Sequence, residues 1–282
     1  MVMLLTAATA NAGMFDPTYR PKAGDFMGQF GVNYTTGFDK DFENGTNFTS
    51  GSFNVGDVKL AYGVLDNMYV SLEVFKDPFN PLSSEAAPIA AVLGGTPASL
   101  MFTNFANPEL GINWQVFGSK AFSIDVIGKY GMALTSMDIG GEDLRIGMNN
   151  FQAGARIYGE AGQFQWAVQA LGQYVLLQDL IADELEIDAF TNLLLQAEAQ
   201  HAFNANYAIK GGVNYDVIKF SGEDLYIYNR SVTIGMPYNF SETSSMMPYL
   251  SYHFKSVMTY DGDDRKLFDN YFQIGTKFAV RF

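Results

Sequence analysis

The sequence predicts an all-β fold, a single antiparallel up-and-down barrel of twelve strands. Three observations carry this. Apolar and polar residues alternate with period two along twelve segments. The connections between those segments are long and short in turn. Aromatic residues gather at both ends of the apolar face.

The elements run as follows. Residues 13–24 contain Pro17 and Pro21, show no period and read as an extended lead. The first strand, 25–36, sets Phe26, Phe30, Val32 and Tyr34 against Met27, Gln29 and Asn33. The second, 53–64, sets Val58, Leu60 and Tyr62 against Asp57, Lys59 and Ala61, and a parity slip at 55–57 implies a bulge. The third (67–75) carries Val70 and Leu72 opposite Ser71 and Glu73; the fourth (107–117) carries Ile112 and Trp114 opposite Glu109 and Asn113. The fifth (120–133) opposes Phe122, Val126 and Tyr130 to Asp125 and Lys129; the sixth (149–158) opposes Phe151 and Ile157 to Gln152 and Arg156. The seventh (163–175) is the most regular: Phe164, Trp166, Val168 and Tyr174 face one way, Gln165, Gln169 and Gln173 the other. The eighth (187–202) opposes Leu193 and Leu195 to Gln196 and Glu198; the ninth (206–219) opposes Tyr207, Val213 and Tyr215 to Lys210 and Asp216. The tenth (225–236) and eleventh (248–257) follow, the latter with Ser251, His253 and Lys255 on its polar face. The twelfth, 270–282, sets Phe272, Ile274, Phe278, Val280 and Phe282 against Gln273, Lys277 and Arg281.

Long connections fall at 37–52, 76–106, 134–148, 176–186, 220–224 and 258–269; short ones fall at 65–66, 118–119, 159–162 and 203–205. The stretch 237–247 breaks the rhythm, being long where a short turn is due. An even strand count leaves both termini on the short-turn side.

Which face is outside follows from charge. The polar face carries Asp57, Lys59, Glu73, Glu109, Asp125, Lys129, Arg156, Glu198, Lys210, Asp216, Lys255, Lys277 and Arg281. Unpaired charge at this density is prohibitive in a packed core, whereas a wet or ion-paired lumen accepts it. The aromatics form two belts on the apolar face. Phe26, Phe122, Phe164, Trp166, Tyr207 and Phe282 lie at the short-turn end; Tyr34, Tyr130, Tyr174, Tyr215 and Phe272 lie at the other. Such belts mark the two interfaces of a bilayer, and strands of about ten to thirteen residues span one when tilted. The expected lumen lining is therefore Lys59, Glu73, Glu109, Asp125, Lys129, Arg156, Gln165, Gln169, Glu198, Lys210, Asp216, His253, Lys255, Lys277 and Arg281.

The closing strand resembles the C-terminal strand of Gram-negative outer-membrane β-barrel proteins, with its terminal phenylalanine and alternating apolar residues. That resemblance implies that Phe272, Ile274, Phe278, Val280 and Phe282 form a signal read by the barrel-assembly machinery. It also implies lipid and lipopolysaccharide around the barrel. Residues 1–12, MVMLLTAATANA, read as the remnant of a signal peptide with an A-x-A cleavage pattern. The expected organisation is thus a leader remnant (1–12), a periplasmic lead (13–24) and a transmembrane barrel (25–282), with both termini periplasmic.

Composition narrows the function. The chain has no cysteine, which excludes disulfides, thiolate metal sites and a cysteine nucleophile. A net charge of −13 argues against nucleic acid as a partner. Most of the excess acid sits in the long connections, for example Asp39, Asp41 and Glu43, or Asp179, Asp183 and Glu184. Asp261, Asp263 and Asp264 offer oxygen ligands without EF-hand spacing. Neither a metal site nor a cofactor is expected. The long apolar connection 76–106, with a short helix expected at 89–93, reads as folding over the mouth or into the lumen. The resemblance to porin-like barrels implies passive diffusion of small hydrophilic solutes. Known twelve-stranded channels for acidic sugars have strongly basic lumens; this one is balanced. Two other readings stand beside the channel: a barrel-embedded hydrolase using His253 with Ser251, in the manner of outer-membrane phospholipases, and a non-conducting structural or adhesive surface barrel.

Overall fold

The computed structural model describes residues 13–36, 52–75, 108–119, 121–132, 135–139, 142–146, 149–176, 189–222, 224–268 and 270–282. Residues 1–12, expected to be a leader remnant, the 76–106 connection with its expected helix, and the acidic groups around 39–43 and 179–184 lie outside them.

The strands are β1 (Phe26–Thr36), β2 (Ser52–Leu65), β3 (Met68–Phe75), β4 (Glu109–Gly118), β5 (Ser123–Gly131), β6 (Thr135–Ile139), β7 (Glu142–Ile146), β8 (Asn150–Ala161) and β9 (Phe164–Leu176). They continue as β10 (Ala189–Ala202), β11 (Ala208–Phe220), β12 (Leu225–Gly235), β13 (Tyr238–Ser241), β14 (Ser244–His253), β15 (Ser256–Tyr260), β16 (Asp263–Phe268) and β17 (Tyr271–Arg281). Twelve of these close an all-antiparallel barrel: β1–β5, β8–β12, β14 and β17. No helix occurs among the described residues.

Closure is made by β17 against β1, in register from Met27↔Arg281 to Thr36↔Phe272. Phe26 and Phe282 exchange backbone bonds at the rim, at 3.2 and 2.7 Å. The expected bulge is present in β2: Gln29 faces Lys59, but Gly31 faces Gly56. Because the twelve barrel strands close on one another, none of them is the edge of an open sheet.

Two departures have local causes. The irregular stretch 237–247 is a hairpin, β13 with β14, whose turn is Glu242–Thr243. Pro237 has no N–H to give the ladder, so it splits one strand into β12 and β13 and hides the alternation. The connections 134–148 and 258–269 contain the hairpins β6–β7 and β15–β16; the second turns on Asp261 and Gly262, both at positive φ.

The faces are inverted relative to a water-soluble barrel. Outward residues are apolar and exposed: Trp114 by 51%, Val168 by 51% and Ile274 by 56%. Inward residues are polar and buried, among them Glu109, Asp125, Asn150, Gln165 and Asn229, each 2% exposed or less. Among the expected belt residues, Phe26, Phe122, Phe164, Tyr207 and Phe282 are exposed at the short-turn end, and Tyr34, Tyr174, Tyr215 and Phe272 at the loop end. Trp166 and Tyr130 are half-buried against neighbouring strands. Phe117, Phe203 and Phe240 thicken the first belt, and Phe151 and Tyr260 the second.

Candidate functional site: the lumen and its N-terminal plug

The barrel encloses a cavity of about 630 Å³ lined from most of its strands. Seven of its charged side chains pair in two clusters. In the first, Lys59 Nζ meets Glu73 Oε1 at 3.1 Å, and Lys129 Nζ meets Glu73 at 3.3 Å and Glu109 Oε1 at 2.8 Å. Gln152 Nε2 donates to the second Glu109 oxygen at 2.6 Å. The strand register sets this up: Lys59↔Glu73 and Glu73↔Glu109 are directly opposed, and Lys129 lies on β5 beside them. In the second cluster, Glu198 takes Arg156 Nη2 at 2.9 Å and Lys210 Nζ at 2.7 Å. Partly buried charges of this kind persist because each is paired and hydrogen-bonded.

The lead departs most from its sequence reading. Residues 13–24, expected to be an extended periplasmic lead, are drawn into the barrel's short-turn end. Met14 and Phe15 pack on Met27, Ala61, Tyr69, Met247 and Ala279. Arg20 spans to the far wall, with Nη1 donating to Asp125 Oδ1 at 2.9 Å and to the Tyr158 hydroxyl at 2.8 Å, and Nη2 donating to the Asn67 carbonyl at 2.9 Å. Two lumen cations hold the lead's carbonyls: Lys210 Nζ donates to Phe15 O at 2.9 Å, and Arg156 Nη2 donates to Pro17 O. The segment stays compact through an Asx turn, in which Asp16 Oδ1 accepts from the Thr18 amide at 2.8 Å and its hydroxyl at 2.9 Å. Where the lead rejoins the wall, Gly24 N donates to Gly63 O and Gly63 N to Asp25 O. A Cβ on Gly63 would collide with the Lys22 carbonyl, so only glycine permits this approach.

The physical reason is that a lead carrying Met14, Phe15 and Tyr19 gains by burying them, and the lumen cations can satisfy its backbone. Burial raises the Asp16 pKa above its ordinary 3.8, against the Thr18 bonds and the attraction of Lys210; Glu160 adds to the rise. Burial likewise raises that of Tyr19.

Apart from Asp216 and Lys277, most of the remaining inward side chains that border the cavity are amides and hydroxyls. Amides and hydroxyls bond across neighbouring strands: Gln173 to Asn150 at 3.1 Å, Asn214 to Ser231 at 3.1 Å, Asn229 to Asp216 at 3.1 Å, Ser256 to Asn229 at 2.6 Å. Thr233 and Ser251 share a hydroxyl bond of 2.7 Å. His253 lies flat on Tyr271, with ring centroids 4.3 Å apart and planes 4° from parallel.

Of the expected lining, Lys59, Glu73, Glu109, Lys129, Arg156, Gln169, Glu198, Lys210, Asp216, His253 and Lys277 border the cavity. Asp125 is sealed beneath Arg20. Gln165 is buried at the short-turn end and Arg281 is half-buried there. Lys255 is a correction. It is exposed in the break between β14 and β15, where the alternation slips and its amide bonds Asn270 Oδ1 at 2.7 Å. Ser251 spends its hydroxyl on Thr233 and makes no bond to His253 among those described, so the Ser–His geometry of a hydrolase is not assembled. Sequence reasoning missed Arg20, Asp16 and Tyr158. The one signal was an apolar, aromatic lead with a lone arginine, which is an odd composition for a segment in water.

An apolar exterior, a polar interior of paired and hydrogen-bonded side chains and a closed twelve-strand sheet define the fold of outer-membrane channel proteins. The chain resembles the COG4313 outer membrane channel from Pseudomonas putida F1, with a TM-score of 0.56 over 95% of this chain and 98% of that one, at 11% identity. It also resembles the NanC porin, with a TM-score of 0.50 over 88% and 98% of the two chains, at 9% identity. No protein-family profile matches the sequence, and no curated protein matches it either.

Proposed function

We propose that the protein is a channel of the bacterial outer membrane for passive passage of small hydrophilic solutes, narrowed at its periplasmic end by its own residues 13–24. The observation that carries this is the polar cavity of about 630 Å³ enclosed by a wall whose outer face is apolar. A surface of exposed Val, Ile, Leu and Phe bounded by aromatic belts belongs in hydrocarbon. On this reading both termini are periplasmic, lipid and lipopolysaccharide surround the wall, and Phe272, Ile274, Phe278, Val280 and Phe282 present the assembly signal. The balanced ion pairs favour weak charge selectivity. The test is planar-bilayer recording of the purified, heat-modifiable full chain. Discrete ohmic steps of near-equal permeability to K⁺ and Cl⁻ are expected; a silent barrel would exclude the channel reading.

Asp16 makes the plug pH-dependent. Its pKa is raised in the docked lead, so the neutral form is favoured there. Its contribution to docking is complete below 3.8 and is lost as pH rises through the raised docked value. Conductance is therefore expected to fall as pH is lowered through that window. Asp16→Asn should hold the acid behaviour at neutral pH. Lumen carboxylates titrate alike in both proteins, so identical pH profiles would rule out the Asp16 effect.

A further inference from the structure

We infer that one wall of the lumen is a subsite for neutral polyhydroxylated solutes of sugar size, and that His253 is its main discriminating residue. The inference rests on the channel reading and names the solute class for it. Six inward residues sit side by side on adjacent strands: Gln169↔Gln196, Gln196↔Asn214, Asn214↔Ser231, Ser231↔His253 and His253↔Tyr271 are each directly opposed. Directly opposed side chains lie about 5 Å apart. The result is a continuous neutral track across β9–β17 with no ionised group in it.

The amide and hydroxyl members each offer both a donor and an acceptor, which is what a hydroxyl-bearing ring presents in return. Of the charged residues beside the track, Arg156 and Lys210 are committed to Glu198, and Asp216 accepts from Asn229 Nδ2 at 3.1 Å. A charged solute would have to break those pairs to gain a partner. A neutral polyol only exchanges its water bonds for amide and hydroxyl bonds.

His253 supplies the observation that points to a ligand. It borders the cavity and is 7% exposed, yet among the described residues neither Nδ1 nor Nε2 has a hydrogen-bond partner. A buried polar group is normally satisfied, so one left with two open nitrogens calls for an explanation. Stacking on Tyr271 covers the ring's face and leaves its edge as the part able to bond. A neutral imidazole carries one donor and one acceptor on that edge, and one sugar hydroxyl pair meets both.

The test is uptake of radiolabelled glucose, glucuronate and glucosamine into proteoliposomes carrying the full chain, with ion conductance recorded on the same preparation. These rings match in size and differ in charge. Saturable glucose uptake, faster than that of either charged ring, is expected. His253→Phe keeps an aromatic ring to stack on Tyr271 and removes both nitrogens; it should weaken half-saturation by glucose about fivefold, the size of one lost neutral hydrogen bond. Unsaturable uptake ranked by size alone, faster uptake of a charged ring, or an unchanged half-saturation in a heat-modifiable His253→Phe protein overturns the subsite while leaving the channel standing. Absence of both uptake and ion conductance overturns the channel reading and the subsite with it. The wild-type comparison needs no variant, so misfolding of His253→Phe cannot shield the inference.

Discussion

Deleting residues 13–22 should raise single-channel conductance roughly two- to fivefold, because ion flow is set by the narrowest stretch of the pore and this segment fills the short-turn end. The barrel itself should survive. The lead adds no strand to it, and closure is made by β1 with β17. Lys210 and Arg156 lose the Phe15 and Pro17 carbonyls but keep Glu198. Asp125 loses Arg20, and its side chain is only 2% exposed. With the lead gone, water reaches it, so the deletion is milder than Arg20→Ala in the intact chain. That point substitution leaves a buried carboxylate under a docked lead, at a cost on the order of 3–5 kcal/mol. Arg20→Ala should therefore favour undocking and also raise conductance. Equal conductance for wild type and deletion would show that the lead does not limit the pore.

The second large effect comes from putting the same charge on opposite faces of one strand. Val213 and Asn214 are neighbours in the middle of β11; Val213 is exposed by 51%, and Asn214 faces inward and bonds Ser231. Val213→Arg puts a guanidinium into hydrocarbon near the bilayer midplane and should cost about 2–4 kcal/mol. Urea unfolding in phospholipid vesicles would register it as a lower midpoint, together with loss of the heat-modifiable band. Asn214→Arg puts the same group in the lumen. It should leave stability within about 1 kcal/mol, since a hydrated group loses only one neutral bond. Its effect should be on permeation, shifting selectivity towards anions. Equal destabilisation by both substitutions would contradict the assignment of faces.

The wall was legible in the sequence because its determinants are local. Period two fixes which residues share a face, and the run of charges from Lys59 to Arg281 on that face fixes which side is wet. Where the alternation is interrupted, legibility ends. Pro237 disguised a two-residue turn as a long loop, and a slip at Phe254–Lys255 turned Lys255 out of the lining. The plug was illegible for a different reason. Its contacts are between residues far apart in sequence, Arg20 with Asp125 and Tyr158, and Lys210 with Phe15. No periodicity reports such pairs. The lumen ion pairs fall between: the residues could be named from the pattern, but pairing Lys129 with Glu109 or sharing Glu198 needs the register of several strands.

The central claim is that the polar face encloses water and the apolar face meets lipid. The chain has no cysteine, so single cysteines can be placed without background. A scan along β9, from Gln165 to Tyr174, with a membrane-impermeant thiol reagent and a lipid-dissolved quencher measures the claim directly. Positions 169 and 173, which border the cavity, should react with the aqueous reagent and escape the quencher. Positions 168, 170 and 174 should be quenched and resist labelling. The opposite alternation, or none, would contradict the account.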